Sequence, residues 1–138
     1  MKKRRVLVCG ASGFIGKNIF DRLSDRDDLE VVGTYLNSHE RIGRHNQLRI
    51  DFTNKKQVDL ATKNVDIIIQ AAAVTSGSRD TVERPYIHIT DNLIINSLVF
   101  QSAYDNNVSH VIFPSSSIVY SDTRRPVPEK DVFPAYFH

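Results

Sequence analysis

Cysteine is almost absent from this chain. Cys9 stands alone, so no disulfide can form within the 138 residues, and it sits in a strand-like run where a small core residue belongs. A reducing, cytoplasmic setting is the expectation. Long hydrophobic runs are missing too, and nothing approaches the roughly 20 apolar residues of a membrane span. The basic opening Lys2-Lys3-Arg4-Arg5 would suit a signal peptide, but only a few apolar residues follow before Gly10. With no h-region, it reads as a solvated lead-in to a strand. An excess of one charge is also lacking: 18 Lys and Arg against 16 Asp and Glu leave +2. That balance argues for neither nucleic acid nor an acidic partner. Repeats and low-complexity segments do not occur, and no metal site is expected. The remaining composition, 41% hydrophobic and 25% charged, is ordinary for a globular protein. The length suits one domain with a real core and is too short for two.

Glycine is scarce as well, with six residues, but three of them stand at 10, 13 and 16. They close the apolar run Val6-Leu7-Val8-Cys9 as G-x-x-G-x-x-G, and a helical pattern (Phe14, Ile15, Ile19, Phe20, Leu23) follows. Gly10 lets the chain turn sharply out of a strand. Gly13 removes a Cβ where a pyrophosphate approaches the backbone, and Gly16 lets the helix lie close to the strand. Backbone N–H groups at Ser12, Phe14 and Ile15, with the positive end of the helix dipole, then face the phosphates. A glycine triplet alone is a weak signal. Placed after a strand and before a helix, it predicts a dinucleotide site.

The rest of the chain alternates strand and helix. Strands are expected over Arg5–Cys9, Leu29–Tyr35, Gln47–Ile50, Val65–Ala71 and His110–Phe113. Helices are expected over Phe14–Ser24, Asn54–Lys63 (capped by Thr53 or Asn54) and Pro85–Asn107, the last about 35 Å long. Asn37–Asn46 reads as a surface loop. The run at Val65–Ala71 is apolar enough for a strand buried on both faces. The pattern predicts an α/β fold, a Rossmann-type doubly wound parallel sheet that stops after its fifth strand. After Tyr120 the chain turns proline-rich (Pro126, Pro128, Pro134), so these residues read as the front half of something larger.

Several positions carry chemistry, each beside a plainer reading. The second strand ends at Thr34-Tyr35 without the carboxylate that would hold the ribose hydroxyls of NAD and repel a 2′-phosphate. His39, Arg41 and Arg44 follow, either as phosphate ligands or as solvated loop charges. The reading leans to NADP, with NAD as the alternative. Asp51 is placed to accept from an adenine amino group with Phe52 beside the ring, or else to cap the next helix. Ala71, Ala72 and Ala73 leave room for a cofactor against the backbone, although a tight crossover needs small residues too. Asn92 by itself reads as a solvated helix position, and Ser115-Ser116-Ser117, before Ile118-Val119-Tyr120, as a turn.

These motifs together resemble the extended short-chain dehydrogenase/reductase superfamily, the NAD-dependent epimerase/dehydratase enzymes that act on nucleotide sugars. V-L-V-x-G-A-S-G-F-I-G, Asp51-Phe52, the alanine run, Arg84-Pro85-Tyr86 with Asn92, and Ser-Ser-x-Val-Tyr fall in the superfamily's order from Val6 to about Tyr120. The triple alanine and Asn92-Leu93-Ile94-Ile95-Asn96-Ser97 are most similar to GDP-fucose synthase-like members. Two departures stand out. Val74-Thr75-Ser76-Gly77-Ser78 replaces a lysine and a glycine pair, and Ile118 or Val119 replaces the cysteine used for epimerisation. Redox chemistry at a sugar carbonyl is therefore better supported than epimerisation.

The resemblance implies that Asn92 supports the site backbone and that Ser116, four residues before Tyr120, is the catalytic serine that hydrogen-bonds the substrate oxygen. It also implies a Tyr-x-x-x-Lys pair one loop and a helix start further on, past His138, with Tyr136 too early. Residues 1–138 are thus expected to form an NAD(P)-binding domain, inactive alone, that takes a nucleotide sugar together with a substrate-binding part outside it. A homodimer through helix 85–107 is expected, since that helix is apolar on more than one face. The competing expectations are a non-catalytic NAD(P)-sensing module and a reductase of a non-nucleotide substrate.

Overall fold

The computed structural model describes residues 2–37, 46–75, 79, 83–84, 86–115, 120 and 125–131. Among them the elements run β1 (Arg4–Cys9), α1 (Phe14–Ser24), β2 (Leu29–Tyr35), β3 (Gln47–Arg49), α2 (Lys55–Thr62), β4 (Ile67–Gln70), α3 (Ile87–Asp105) and β5 (His110–Ile112), followed by a short 3-10 turn at Glu129–Asp131. The five strands form one sheet in the order β3-β2-β1-β4-β5, and every pairing is parallel. The chain builds outward from β1 in one direction through β2 and β3, then returns to the other side of β1 for β4 and β5. This is the doubly wound sheet expected from the strand–helix alternation.

Side-chain alternation along the strands makes two cores. Val6 lies opposite Val31 and Ile67, and Leu7 opposite Val32 and Ile68. Val6, Val8, Val31 and Ile69 pack with Phe20 of α1 on one face. Leu7, Cys9, Val32 and Ile68 pack on the other with Val58 and Ala61 of α2 and Ile95, Val99 and Ala103 of α3. Val6 to Cys9 are no more than 2% exposed, as a central strand covered on both faces requires. Burial pushes the Cys9 thiol well above its ordinary range, so it remains a protonated core group.

A polar lock joins the two helices of the second face. Ser102 donates to the Asp59 carboxylate, which Lys55 also holds at 2.8 Å. Asn106 Nδ2 donates to Thr62 Oγ1 at 2.9 Å and to the Ser102 carbonyl at 3.0 Å. Lys55 first and Ser102 second hold the Asp59 carboxyl below the usual carboxylate range. Ser102 and Thr62 are fully buried, so this network fixes the register of α2 against α3.

Several boundaries differ from the sequence expectation, for local reasons. β4 begins at Ile67 rather than Val65, because the Arg5 N–H is taken at 2.7 Å by the Asp66 side chain instead of a main-chain carbonyl. α2 stops short of Lys63, whose backbone is extended (ψ 129°), and α3 stops short of Asn107, which turns into the left-handed region (φ +55°) that ends a helix. α3 therefore has 19 residues, about 28 Å. Pro85 lies outside the described residues. β3 and β5 end one residue early, at Arg49 and Ile112. All three residues of β5 are exposed, unlike an interior strand, and its Val111 and Ile112 are uncovered together with Phe113. None of the described helices is long and apolar enough to cross a membrane.

Gly33 in β2 is a structural requirement. A Cβ there would lie 2.8 Å from the Ala11 Cβ and 2.9 Å from the Phe20 ring, both in the core. Gly33→Ala should destabilise the fold by about 1–3 kcal/mol through overpacking. A lowered urea midpoint with an unchanged m value is the expected result, and an unchanged midpoint would contradict it.

Candidate functional site

The sheet reverses its winding between β1 and β4, and a cleft of about 410 Å³ opens there at the carboxyl ends of β1, β2 and β4. Its walls include Gly10, Ser12 and Gly13 after β1, Thr34, Tyr35 and Leu36 at the end of β2, Ile50 to Thr53 after β3, and Ala71 to Val74 after β4. The size and position are those of a ligand site in an open α/β sheet.

The floor is the turn from β1 into α1. Gly10 has φ +72°, and a Cβ there would lie 2.8 Å from the Ala72 Cα. At Gly16 a Cβ would stand 2.1 Å from the Gly10 carbonyl oxygen, so only glycine lets α1 sit this close to the turn. The buried Thr34 hydroxyl accepts the Gly10 N–H at 3.0 Å, tying β2 to the same turn. Gly13 differs from its neighbours. A Cβ on it would meet only the Gly10 oxygen, at 3.4 Å, and would otherwise stand in open space.

The two helices beside the cleft end differently. Asn54 caps α2, its side chain accepting from the Lys56 and Gln57 N–H groups at 3.1 and 3.3 Å. α1 has Gly13 at its cap position and no side-chain cap. Its first intrahelical bond runs from the Lys17 N–H to the Gly13 carbonyl at 2.8 Å, so Phe14, Ile15 and Gly16 begin the helix with donors that have no acceptor within it. Uncapped donors, the positive helix end and a glycine without a steric neighbour suit an anionic group such as a pyrophosphate.

At the outer end, half-buried Tyr35 closes β2, and Asp51 and Phe52 follow β3. Asp51 Oδ1 accepts from the Thr53 hydroxyl at 2.7 Å and from the Thr53 N–H at 2.9 Å. The Thr53 hydroxyl bond, then its N–H, hold the Asp51 carboxyl below the usual carboxylate range. The group is thus an anionic acceptor at neutral pH. Because its folded pKa is depressed, its contribution to stability is present above the ordinary carboxylate range and lost as pH falls through the lowered value. Phe52 is both core residue and cleft wall.

The inner wall is held by amides of α3. Asn92 Oδ1 accepts the Val74 N–H at 2.8 Å while its Nδ2 donates to the Val74 carbonyl at 3.0 Å, as a neighbouring strand would. Gln70 Nε2 donates to the Ala72 carbonyl at 3.1 Å and to Asn96 Oδ1 at 3.0 Å. These contacts hold Ala71, Ala72 and Ala73 along the cleft.

The structure therefore gathers Gly10, Ser12, Gly13, Tyr35, Asp51, Phe52 and the three alanines around one cleft. Gly16 lies behind the turn, Phe14 (87% exposed) and Ile15 begin α1, and Asn92 braces Val74. Arg41 and Ser116 lie outside the described residues, as do His39, Arg44 and Tyr136. Thr34, Gln70 and Asn96 were not singled out as site residues. A polar residue at the end of an apolar strand run was the available signal for Thr34 and Gln70. For Asn96 it was the i, i+4 spacing from Asn92.

These distances separate folding from binding. Gly13→Val should leave the circular dichroism spectrum intact while abolishing dinucleotide binding in titration calorimetry, whereas Gly16→Ala should lower stability. A folded Gly13→Val chain with unchanged dinucleotide affinity would refute this placement of the phosphates.

Comparisons with known proteins agree with this architecture. GDP-L-fucose synthase of Escherichia coli is 27% identical over 134 residues, covering 96% of this chain and 39% of that protein. GDP-L-fucose synthase 1 of Arabidopsis thaliana is 27% identical over 137 residues, covering 97% and 39%. The solved structure of UDP-glucose 4-epimerase from Bifidobacterium longum, in complex with NAD+ and UDP, superposes with a TM-score of 0.76 at 24% identity, over 91% of this chain and 41% of that one. The chain thus spans less than half the length of the curated relatives it matches. The profile of the NAD dependent epimerase/dehydratase family matches residues 6–136, and the chain belongs to that family.

Proposed function

We propose that residues 1–138 are the NAD(P)-binding domain of a nucleotide-sugar epimerase, dehydratase or reductase, of the GDP-fucose synthase-like kind, with redox chemistry at a sugar carbonyl. The observation that carries this reading is the uncapped start of α1 over a glycine turn, opening on a cleft where the sheet reverses. Gly10, Ser12, Gly13, Phe14 and Ile15 hold the pyrophosphate, with Gly16 setting the helix. Tyr35 and Arg41 meet the adenosine ribose, and Asp51 and Phe52 meet the adenine. Ala71, Ala72 and Ala73 admit the dinucleotide along β4, and Asn92 keeps their loop in place. A bound nicotinamide would supply hydride chemistry, and Ser116 would hold the sugar oxygen next to the reacting carbon. The names of the GDP-sugar relatives support a nucleotide-sugar substrate.

The alternative reading is an NAD(P)-binding module without turnover. Assaying the complete open reading frame with nicotinamide cofactors against GDP- and UDP-linked keto-sugars separates the two. Turnover that Ser116→Ala reduces by about 10²–10³-fold, with cofactor affinity retained, is expected of the enzyme. Cofactor binding without turnover across the panel is expected of the module.

Two further outcomes follow from the site and the surface. NADPH should bind more tightly than NADH, because no carboxylate ends β2, and Tyr35→Asp should reverse that order by repelling the 2′-phosphate. A wild-type preference for NADH would contradict it. The proposed homodimer forms through α3, where Ile89, Leu93, Ile94, Phe100 and Tyr104 are exposed although Ile95 and Val99 already face the sheet. Sedimentation velocity at about 100 μM should show self-association. A strictly monomeric profile with no binding of a hydrophobic dye would refute it.

A further inference from the structure

The cofactor reading leaves the adenosine rim of the cleft without an assigned cation among the described residues. Arg49 is in position to be one. It ends β3 directly opposite Tyr35 of β2, and its Nε donates to the Leu36 carbonyl at 3.0 Å. That bond draws the guanidinium across the end of β2, beside Tyr35 and Leu36 of the cleft wall. Arg5, Arg26 and Arg79 each face a carboxylate. Among the described residues Arg49 faces no carboxylate, and its two terminal nitrogens make no hydrogen bond or ion pair. The nearest cleft carboxylate in sequence, Asp51, is engaged with Thr53 instead.

We propose that Arg49 is the specificity-determining residue for a phosphate on the adenosine 2′-hydroxyl, and so for NADP over NAD. This rests on the dinucleotide reading of the cleft. A guanidinium anchored through Nε still presents the planar edge of its two terminal amino groups, which matches two phosphate oxygens. Because the Leu36 carbonyl already restrains the side chain, less freedom is lost when a ligand arrives. A bare 2′-hydroxyl gains little from the same cation, so the contact discriminates between the cofactors rather than strengthening both.

The test is calorimetric titration of the protein with NADPH and NADH. Wild type should favour NADPH. Arg49→Ala should weaken NADPH by about ten- to hundredfold, as expected for loss of a charge-assisted pair, and leave NADH within about twofold. Arg49→Lys, which keeps the charge without the fork, should retain part of the selectivity. As a readout that needs no variant to fold, wild type should bind adenosine 2′,5′-bisphosphate well above adenosine 5′-monophosphate. Equal weakening of both dinucleotides, or a folded Arg49→Ala chain with wild-type selectivity, would overturn the assignment. So would wild type that fails to distinguish the two fragments. Failure of the underlying reading looks different: neither dinucleotide nor either fragment would bind the wild-type protein, and the assignment would fall with it.

Discussion

One close backbone contact sets the geometry of the rest. The first turn of α1 presses Gly16 against the Gly10 carbonyl, leaving no room for a Cβ, while Gly10 itself turns through a positive φ against Ala72. This contact fixes where α1 starts and the line along which its free N–H groups point. It also places Phe20 against Val6 and Val8 of β1, so one of the two cores depends on it. Thr34 then ties β2 to the turn from the other side. The carboxyl ends of β1 and β2 are therefore held by main-chain contacts and one buried hydroxyl.

The second core serves the cleft differently. α3 packs Ile95 and Val99 against the sheet and uses neighbouring positions on the same helix for amides. Asn92 pairs with both polar groups of Val74, and Asn96 holds Gln70 beneath Ala72. Such bonds stabilise a loop that has left the sheet ladder and would otherwise carry unsatisfied backbone groups at the cleft wall. The lock between Asp59, Ser102, Thr62 and Asn106 keeps α3 in register with α2, so the braces arrive at the right height. Stability and site geometry are coupled through this helix.

The electrostatics of the cleft are graded along its length. The start of α1 is a positive, uncapped end with no acidic residue in its first turn. Asp51 after β3 stays ionised because Thr53 satisfies it, which suits an amino donor rather than a phosphate. Between them β2 ends in Tyr35, with Arg49 across its carbonyl end. A ligand with phosphates at one end and a hydrogen-bonding base at the other matches this order.

Much of this was legible along the chain because its period and punctuation are local. The apolar run before Gly10, the spacing of the three glycines and the strand–helix alternation determined a parallel α/β sheet with a tight glycine turn after its first strand, and Asn54 announced its helix as a cap. Asn107 ended α3 through a left-handed conformation that few residues enter, a signal present in the sequence but weaker than glycine. What only the tertiary structure decided is contact between distant positions. That Gly33 makes room for Phe20, that Thr34 reaches Gly10, that Asn92 completes the hydrogen bonds of Val74 and that Arg49 crosses the end of β2 depend on strand order and register. Sheet pairing brings residues 10 and 34, or 36 and 49, to hydrogen-bond distance, and no periodicity along the chain encodes which of them will meet.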